Sequence, residues 1–323
     1  MITVLDPGVY TGSWLLESGD VLMAAVPDTV VLQGAPGQKV IETKGVVEEV
    51  RLDGIVVDGG RIGILGSFKN STIRCAVQGT ERIGVKLTDT EDCDIDLVVA
   101  DCAYSGLSMV SGCAGNTIRA SGTNNNWHQG GVNGHGQVVI KNHPGNADNT
   151  VEYMSFRDFC GVGLRLGSDY VDVLWAELLM DAPAGCVRGE GIAINGSHVY
   201  VHAGKVRGAY VAGCLVSADG KAGGDIEDVR VSNLEVQNSS QSEAAAHAAF
   251  QAVARNGAML NGLTFLSPYA SDVQPSPTQN AMSFVEAGGF IEGARVIGLE
   301  AHGNLNNDIK FSSPGLAQRV TVL

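Results

Sequence analysis

Aromatic side chains make up only 6% of the 323 residues, and proline occurs nine times. A chain so poor in bulky rings packs small and branched side chains, which favours many short strands over long helices. Nowhere do about 20 consecutive apolar residues follow one another, so no membrane-spanning helix is expected. The opening MITVLDPGVYTGSW lacks the basic and then apolar stretches of a secretory signal. Basic residues are scarce as well: 21 Lys and Arg against 35 Asp and Glu give a formal net charge of −14. Nucleic acid and anionic membrane both require a basic face, so neither is expected as a partner, and an anionic ligand would need a local basic patch. The seven cysteines (Cys75, Cys93, Cys102, Cys113, Cys160, Cys186, Cys214) form no CxxC pair. An odd number scattered through strand-like sequence points to reduced, buried thiols and away from a disulfide framework or a zinc site.

What the chain has in quantity is glycine, 43 residues, with 44% hydrophobic content. One unit recurs: a short apolar strand, a polar turn, then a glycine followed by alternating apolar residues. Copies begin at Thr72 (TIRCAVQGTERIGVKL), Asp94 (DIDLVVADCAYSGLSM), Thr117 (TIRASGTNNNWHQGGVNG) and Thr150 (TVEYMSFRDFCGVGLRL). Their glycines align as Gly84, Gly106, Gly130 and Gly161, with an echo at Gly191. Runs such as Ile83, Val85 and Leu87 inward with Gly84 and Lys86 outward are too short for helices. Each copy reads as one coil of β structure that buries its apolar face only by stacking on the next, which makes an all-β parallel β-helix. At about 23 residues per coil the chain holds about fourteen coils and extends roughly 65 Å. Stacking then sets Arg74, Asp96 and Arg119 side by side as a ladder of alternating charge.

With its LDPGVYTGSW opening and this repeat, which runs from about residue 45 to 235, the sequence resembles the pectin-lyase-like superfamily of right-handed parallel β-helices. That group includes pectate lyases, polygalacturonases and phage tailspikes. The expected organisation is a single domain over 1–323, with opening coils over 1–45 and last coils plus a closing segment over 267–323. A polar insertion interrupts it at 121–150. Residues 238–258 fit a short lateral helix, with Ser240 and Glu243 as a capping box and Asn256-Gly257 as its stop, or else an alanine-rich strand.

Long excursions from a solenoid usually serve binding, so the insertion is the expected site. It carries Trp127, whose face suits a sugar ring, and the amides of Asn124, Asn126 and Asn133, which suit hydroxyls. The residues two before each aligned glycine are Arg82, Tyr104, His128 and Phe159, which would form one outward column. Glycan cleavage by β-elimination needs a base, an acid and a cation beside the carboxylate. His128, His135 or Lys141 as base, Tyr104 as acid and Arg82 as clamp supply those groups. Hydrolysis needs two opposed carboxylates instead, for which Glu81, Asp101 and Asp158 are the candidates. Gly134-His135-Gly136 and Ile140-Lys141 resemble polygalacturonase motifs, yet the motifs carrying those enzymes' carboxylates are absent. His198 and His202 read as strand surface. No cofactor is expected; Glu48-Glu49 and Glu91-Asp92 could face calcium but lack a loop of convergent oxygens.

Two functions follow. One is a glycan-binding and glycan-cleaving protein, lyase or hydrolase of the depolymerase kind, with a polysaccharide as partner. The other is a non-catalytic virion component, a tailspike, fibre or decoration protein among other virion proteins. The resemblance implies a homotrimer; the odd set of free cysteines and the opening without a signal suit assembly in a cytosol before joining a virion, the alternative being secretion by a signal since removed.

Overall fold

The computed structural model describes residues 1–125, 136–141, 143, 145–180, 189–221, 224–239, 248–272, 280–303 and 307–323, with the backbone alone at 307 and 308. Strands pair in parallel with their counterparts one coil later. Thr72–Gln78, Asp94–Ala100 and Thr117–Thr123 lie side by side with Ile73, Ile95 and Ile118 in one fully buried column. The strands collect into a long sheet of 20 (sheet A), a facing sheet of 12 (sheet B) and a short third sheet of 3. Buried side chains from Leu16 to Val320 form one cluster between them. The 12 strands of sheet B mark twelve coils, fewer than fourteen, because longer loops follow Gly106.

The glycine and Asp/Asn content has a local cause. Each coil turns into sheet A through a residue in left-handed conformation, the column Asp92, Gly115, Asp148, Tyr170, His198 and Asp228, with φ between 50° and 67°. The amide there bonds the next coil, as from Asp92 N to Ala114 O (3.1 Å) and from His198 N to Glu227 O (2.9 Å). Asp, Asn and Gly tolerate that geometry best. Inside the turn, buried amides satisfy the backbone: Asn116 Oδ1 accepts from Cys93 N (3.1 Å), and Asn116 Nδ2 donates to Thr90 O and Asn149 Oδ1 (both 2.9 Å).

Several expectations change. The glycine column of sheet B runs Gly63, Gly84, Gly106, Gln137, Gly163, Gly191, Gly213, because Leu107 pairs with Val138 and Val138 with Leu164. Gln137 and Gly163 thus hold the slots assigned to Gly130 and Gly161. The slot also faces inward: a Cβ at Gly84 would lie 2.8 Å from Val99 Cγ1 and 2.9 Å from Cys102 Sγ. Residues 248–255 of the suggested helix form a strand, Ala248–Arg255, in which Phe250, Ala252 and Ala254 are fully buried. Parallel pairing on both sides overrides alanine's helical preference there. Asn256 and Gly257 do stop the element, through left-handed φ values of 54° and 81°; Ser240 and Glu243 lie outside the described residues. The one described helix is Pro314–Ala317, capped by Ser313, whose Leu316 joins the core near the chain's end. Cys75, Cys93, Cys102, Cys113 and Cys214 are free and buried as expected, whereas Cys160 is disulfide-bonded, and Cys186 lies outside the described residues. Burial pushes the Cys75 and Cys214 thiols up to about 12.

Candidate functional site

Arg82 and Tyr104 stand where the sequence places them, in adjacent coils just before the sheet B strands Ile83–Leu87 and Ser105–Met109. Tyr104 N donates to Arg82 O (2.7 Å), and the guanidinium carbon of Arg82 lies 5.7 Å from the centroid of the Tyr104 ring. A coil earlier the same position is Arg61, since Ile62 pairs with Ile83. Arg61, Arg82 and Tyr104 therefore rise in one column at about 4.8 Å per coil. On the sheet itself Lys86, Ser108, Val139 and Arg165 are in register, with both cations outward and half-buried.

The electrostatic setting of these cations differs from that of the ladder on sheet A. Arg51 bonds Asp53 (2.5 Å), Arg74 bonds Asp94 (2.7 Å), and Arg119 bridges Asp94, Asp96 (3.5 Å) and Glu152 (2.6 Å). Arg74, Asp96 and Arg119 do stand in register as expected, yet Asp94 is the carboxylate both arginines hold. Burial alone would raise the Asp94 pKa; the hydrogen bonds and charges of Arg74 and Arg119 outweigh it and keep the group below the ordinary value. On the face of sheet B, Arg61, Arg82, Lys86 and Arg165 make no ion pair with any described carboxylate. In a chain of net charge −14 this is a local basic strip.

The other expected residues separate. Lys141 follows the strand Gly136–Ile140, at the end of sheet B opposite to Tyr104. Six residues of strand, roughly 20 Å, divide the coil positions of the two, so they cannot act on one bond. Asn124 is a corner residue at φ 57° that donates to Asp101 Oδ1 (2.5 Å), and the neighbouring Asn125 is fully buried against Cys102 N (2.9 Å). Both serve the coil. Phe159 is fully buried and so leaves the outward column. Glu81 accepts from Gly37 N (3.1 Å), and Asp101 and Asp158 are left-handed corner residues. Asn126, Trp127, His128, Asn133 and His135 lie outside the described residues.

Farther along the same outward column, Arg165 continues to Ala193, Leu215 and Gln251. A groove of about 500 Å³ opens there, lined by Glu190, Leu215, Gln251, Val253, Arg255 and Asn256. Asn256 Nδ2 donates to Asp219 Oδ1 (2.7 Å); with the amide of Lys221 it holds that carboxyl below the usual range. The sequence gives no sign of this groove, because its residues come from four coils with no motif. On sheet A, His198 lies 3.4 Å from both Asp228 Oδ2 and Glu227 Oε1, and His202 lies 3.2 Å from Asp172 Oδ1. Among the described residues no three His, Cys, Asp or Glu side chains converge to hold a metal ion. Glu91 bonds Lys69 (2.8 Å), and Glu49 and Asp92 are corner residues.

No family model matches the sequence, and no curated protein matches it significantly. Solved structures do match in shape. An alginate lyase from Paenibacillus sp. str. FPU-7 aligns with 99% of this chain and 92% of its own at 14% identity and a TM-score of 0.54. The A-module of Azotobacter vinelandii mannuronan C-5 epimerase AlgE4 covers 100% and 91% at 12% identity and 0.57. A mannuronic acid specific polysaccharide family 6 lyase from human gut microbiota covers 100% and 85% at 8% and 0.57. What they share with this chain is the fold, a right-handed parallel β-helix of the pectin-lyase-like type.

Proposed function

We propose that the outward face of sheet B binds an acidic polysaccharide and that the chain cleaves it by β-elimination. The observation that carries this reading is the column Arg61, Arg82 and Tyr104, two guanidinium groups without a described carboxylate partner beside a phenol. A uronate carboxylate seated on Arg61 and Arg82 has its charge offset, which acidifies the adjacent C5–H and stabilises the enolate-like intermediate. A base takes the C5 proton, the electron pair forms the C4–C5 double bond, and the C4–O bond breaks with a proton delivered to the leaving oxygen. In this reading Tyr104 serves as the acid of that last transfer, and His128 or His135, which lie outside the described residues, as the base of the first. Lys141, too distant for the chemistry, extends the basic strip. The similarly folded proteins named for alginate or mannuronan chemistry support a uronate polymer as ligand.

The test uses alginate and pectate with the full chain. Arg82→Ala and Arg61→Ala should each weaken retention by at least tenfold, about 1.4 kcal/mol. Tyr104→Phe should keep binding while the unsaturated product, followed by its ultraviolet absorbance, disappears. A native protein that binds neither polymer would refute the reading. Binding without product would leave a non-catalytic glycan-binding role of the tailspike or fibre kind.

A further inference from the structure

The outward column of sheet A that begins at Asp53 is charged through four coils: Asp53, Arg74, Asp96, Arg119. At the fifth coil the pattern breaks. A register shift between Ile118 and Arg119 sets Arg119 opposite Tyr153, so Glu152 becomes the extra residue of a bulge and Tyr153 takes the outward position. Bulges re-aim side chains and are uncommon between parallel strands. Trp175 occupies the neighbouring place in the next coil, where its carbonyl accepts from Met154 N (3.0 Å). Tyr153 is 44% exposed, Trp175 40% and Leu174 45%. At the start of that same coil Tyr170 is 53% exposed and stacks on His198, with centroids 4.6 Å apart and planes 12° from parallel.

Single exposed rings are ordinary on a protein surface; Tyr153 and Trp175 side by side in adjacent coils with Leu174 next to them, where the preceding coils carry charge, are a patch, and Tyr170 stands five residues away along the coil. Its surroundings restrict the ligand. Thr150, Asp172 and Tyr200 run in register beside the rings, and Asp172 is oriented by His202. These are acceptors and hydroxyls suited to sugar hydroxyl groups, next to rings suited to the apolar face of a pyranose. Glu152 is held by Arg119, and the carboxylates of Asp172 and Glu177 would repel an anionic polymer, the reverse of the basic strip on sheet B.

We propose that the face of sheet A centred on Tyr153 and Trp175 is a second glycan-binding site, for an uncharged pyranose-based polysaccharide. This site is separate from the one proposed on sheet B. The experiment is native affinity electrophoresis of the full chain in gels containing mixed-linkage β-glucan, galactomannan or dextran, with alginate as the acidic control. At least one neutral polymer should retard the native protein. Trp175→Ala should lower that association at least tenfold and Tyr153→Ala severalfold, whereas Trp175→Phe, which keeps a ring, should retain most of it. Arg82→Ala should leave neutral-polymer binding unchanged. Because both aromatic residues are substantially exposed, equal melting temperatures in these variants will show that folding is intact. The proposal is overturned if no neutral polymer retards the protein, if Trp175→Ala binds as the native chain does, or if Trp175→Ala impairs only alginate retention. Loss of self-association in Trp175→Ala without any neutral-glycan binding would likewise overturn it and assign the face to a protein contact.

Discussion

Replacing Gln137 with methionine should make the protein more stable, which is unusual for a residue with no exposed surface. Every other position of its column from Gly63 to Gly213 is glycine, at a slot where a Cβ points into the interior. Room for a long side chain in this one coil comes from Gly122, which interrupts the facing column Val77, Val99, Gly122, Phe156. Gln137 is fully buried, and both its amide nitrogen and its oxygen lack a hydrogen-bond partner among the described residues. An orphaned buried polar group costs about 1–3 kcal/mol. Methionine keeps the length and approximate volume, so Gln137→Met should recover about that amount. Gln137→Gly should do the opposite and cost about 2–5 kcal/mol as a cavity opens. Gly122 cannot refill it, since a Cβ there would lie 1.8 Å from the Val99 carbonyl oxygen. Urea unfolding followed by tryptophan fluorescence reads both changes as midpoint shifts at constant slope. A Gln137→Met midpoint at or below that of the native chain would show that the amide is satisfied in solution, and the reasoning would fail.

Other measurements test the remaining framework. Asp94→Asn should cost about 0.5–1 kcal/mol at neutral pH. The Asp94 pKa is lowered by folding, so its contribution is present above the unfolded value and is lost as pH falls through the folded one. The gap between variant and native stability should therefore close in acid, and a gap that widens would contradict the ion-pair assignment. Asn116→Ala leaves Cys93 N, Thr90 O and Asn149 without their partner, and should lower stability by about 2–4 kcal/mol; a loss under half a kcal/mol would refute the ladder's role. Thiol reagent at pH 8 should label almost none of the five cysteines that are free among the described residues in the native state, since burial holds Cys93, Cys102 and Cys113 at about 11 and Cys75 and Cys214 at about 12. Denaturation should expose those five, and reduction should release more because of the Cys160 disulfide. Rapid native labelling would contradict the burial.

The fold was legible because its physics repeats. Ile73, Ile95 and Ile118 recur at coil spacing, with Arg74, Asp96 and Arg119 one residue on, and that periodicity alone sets all six in register, as the strands have them. It failed where a coil departs from the rule. Gly130 drew the alignment because glycine marked the slot elsewhere, while the true occupant is a glutamine whose compensating partner, Gly122, lies on the other sheet. The same shift accounts for Phe159: with Gly163 in the slot, the column position two residues earlier belongs to Gly161, and Phe159 packs into the core. A one-dimensional pattern holds no record of such swaps between sheets. Nor does it hold the bulge at Glu152, which decides that Tyr153 faces solvent.

The two faces follow from where charge is neutralised. A parallel solenoid brings equivalent residues to about 4.8 Å, a distance at which like charges repel and opposite charges pair. Sheet A meets that demand internally, by alternating sign along Asp53, Arg74, Asp96 and Arg119. The Arg61–Arg82 column of sheet B does not: the two are neighbours of the same sign, neither forms an ion pair with a described carboxylate, and among the described residues Arg82 lies over the electron-rich face of Tyr104. Stacked like charges are destabilising unless something of the opposite sign occupies the face. A polymer with a carboxylate on each sugar supplies such charges at regular intervals, so a ligand of this kind should stabilise the chain. The neutralising variant Arg61→Gln tests that account without any assay of cleavage. It should raise the melting temperature of the free protein, lower the melting shift produced by alginate, and make stability less dependent on salt. If Arg61→Gln instead melts lower than the native chain at low ionic strength, the two guanidinium groups are not in net repulsion, and the argument that the face awaits an anion loses its basis.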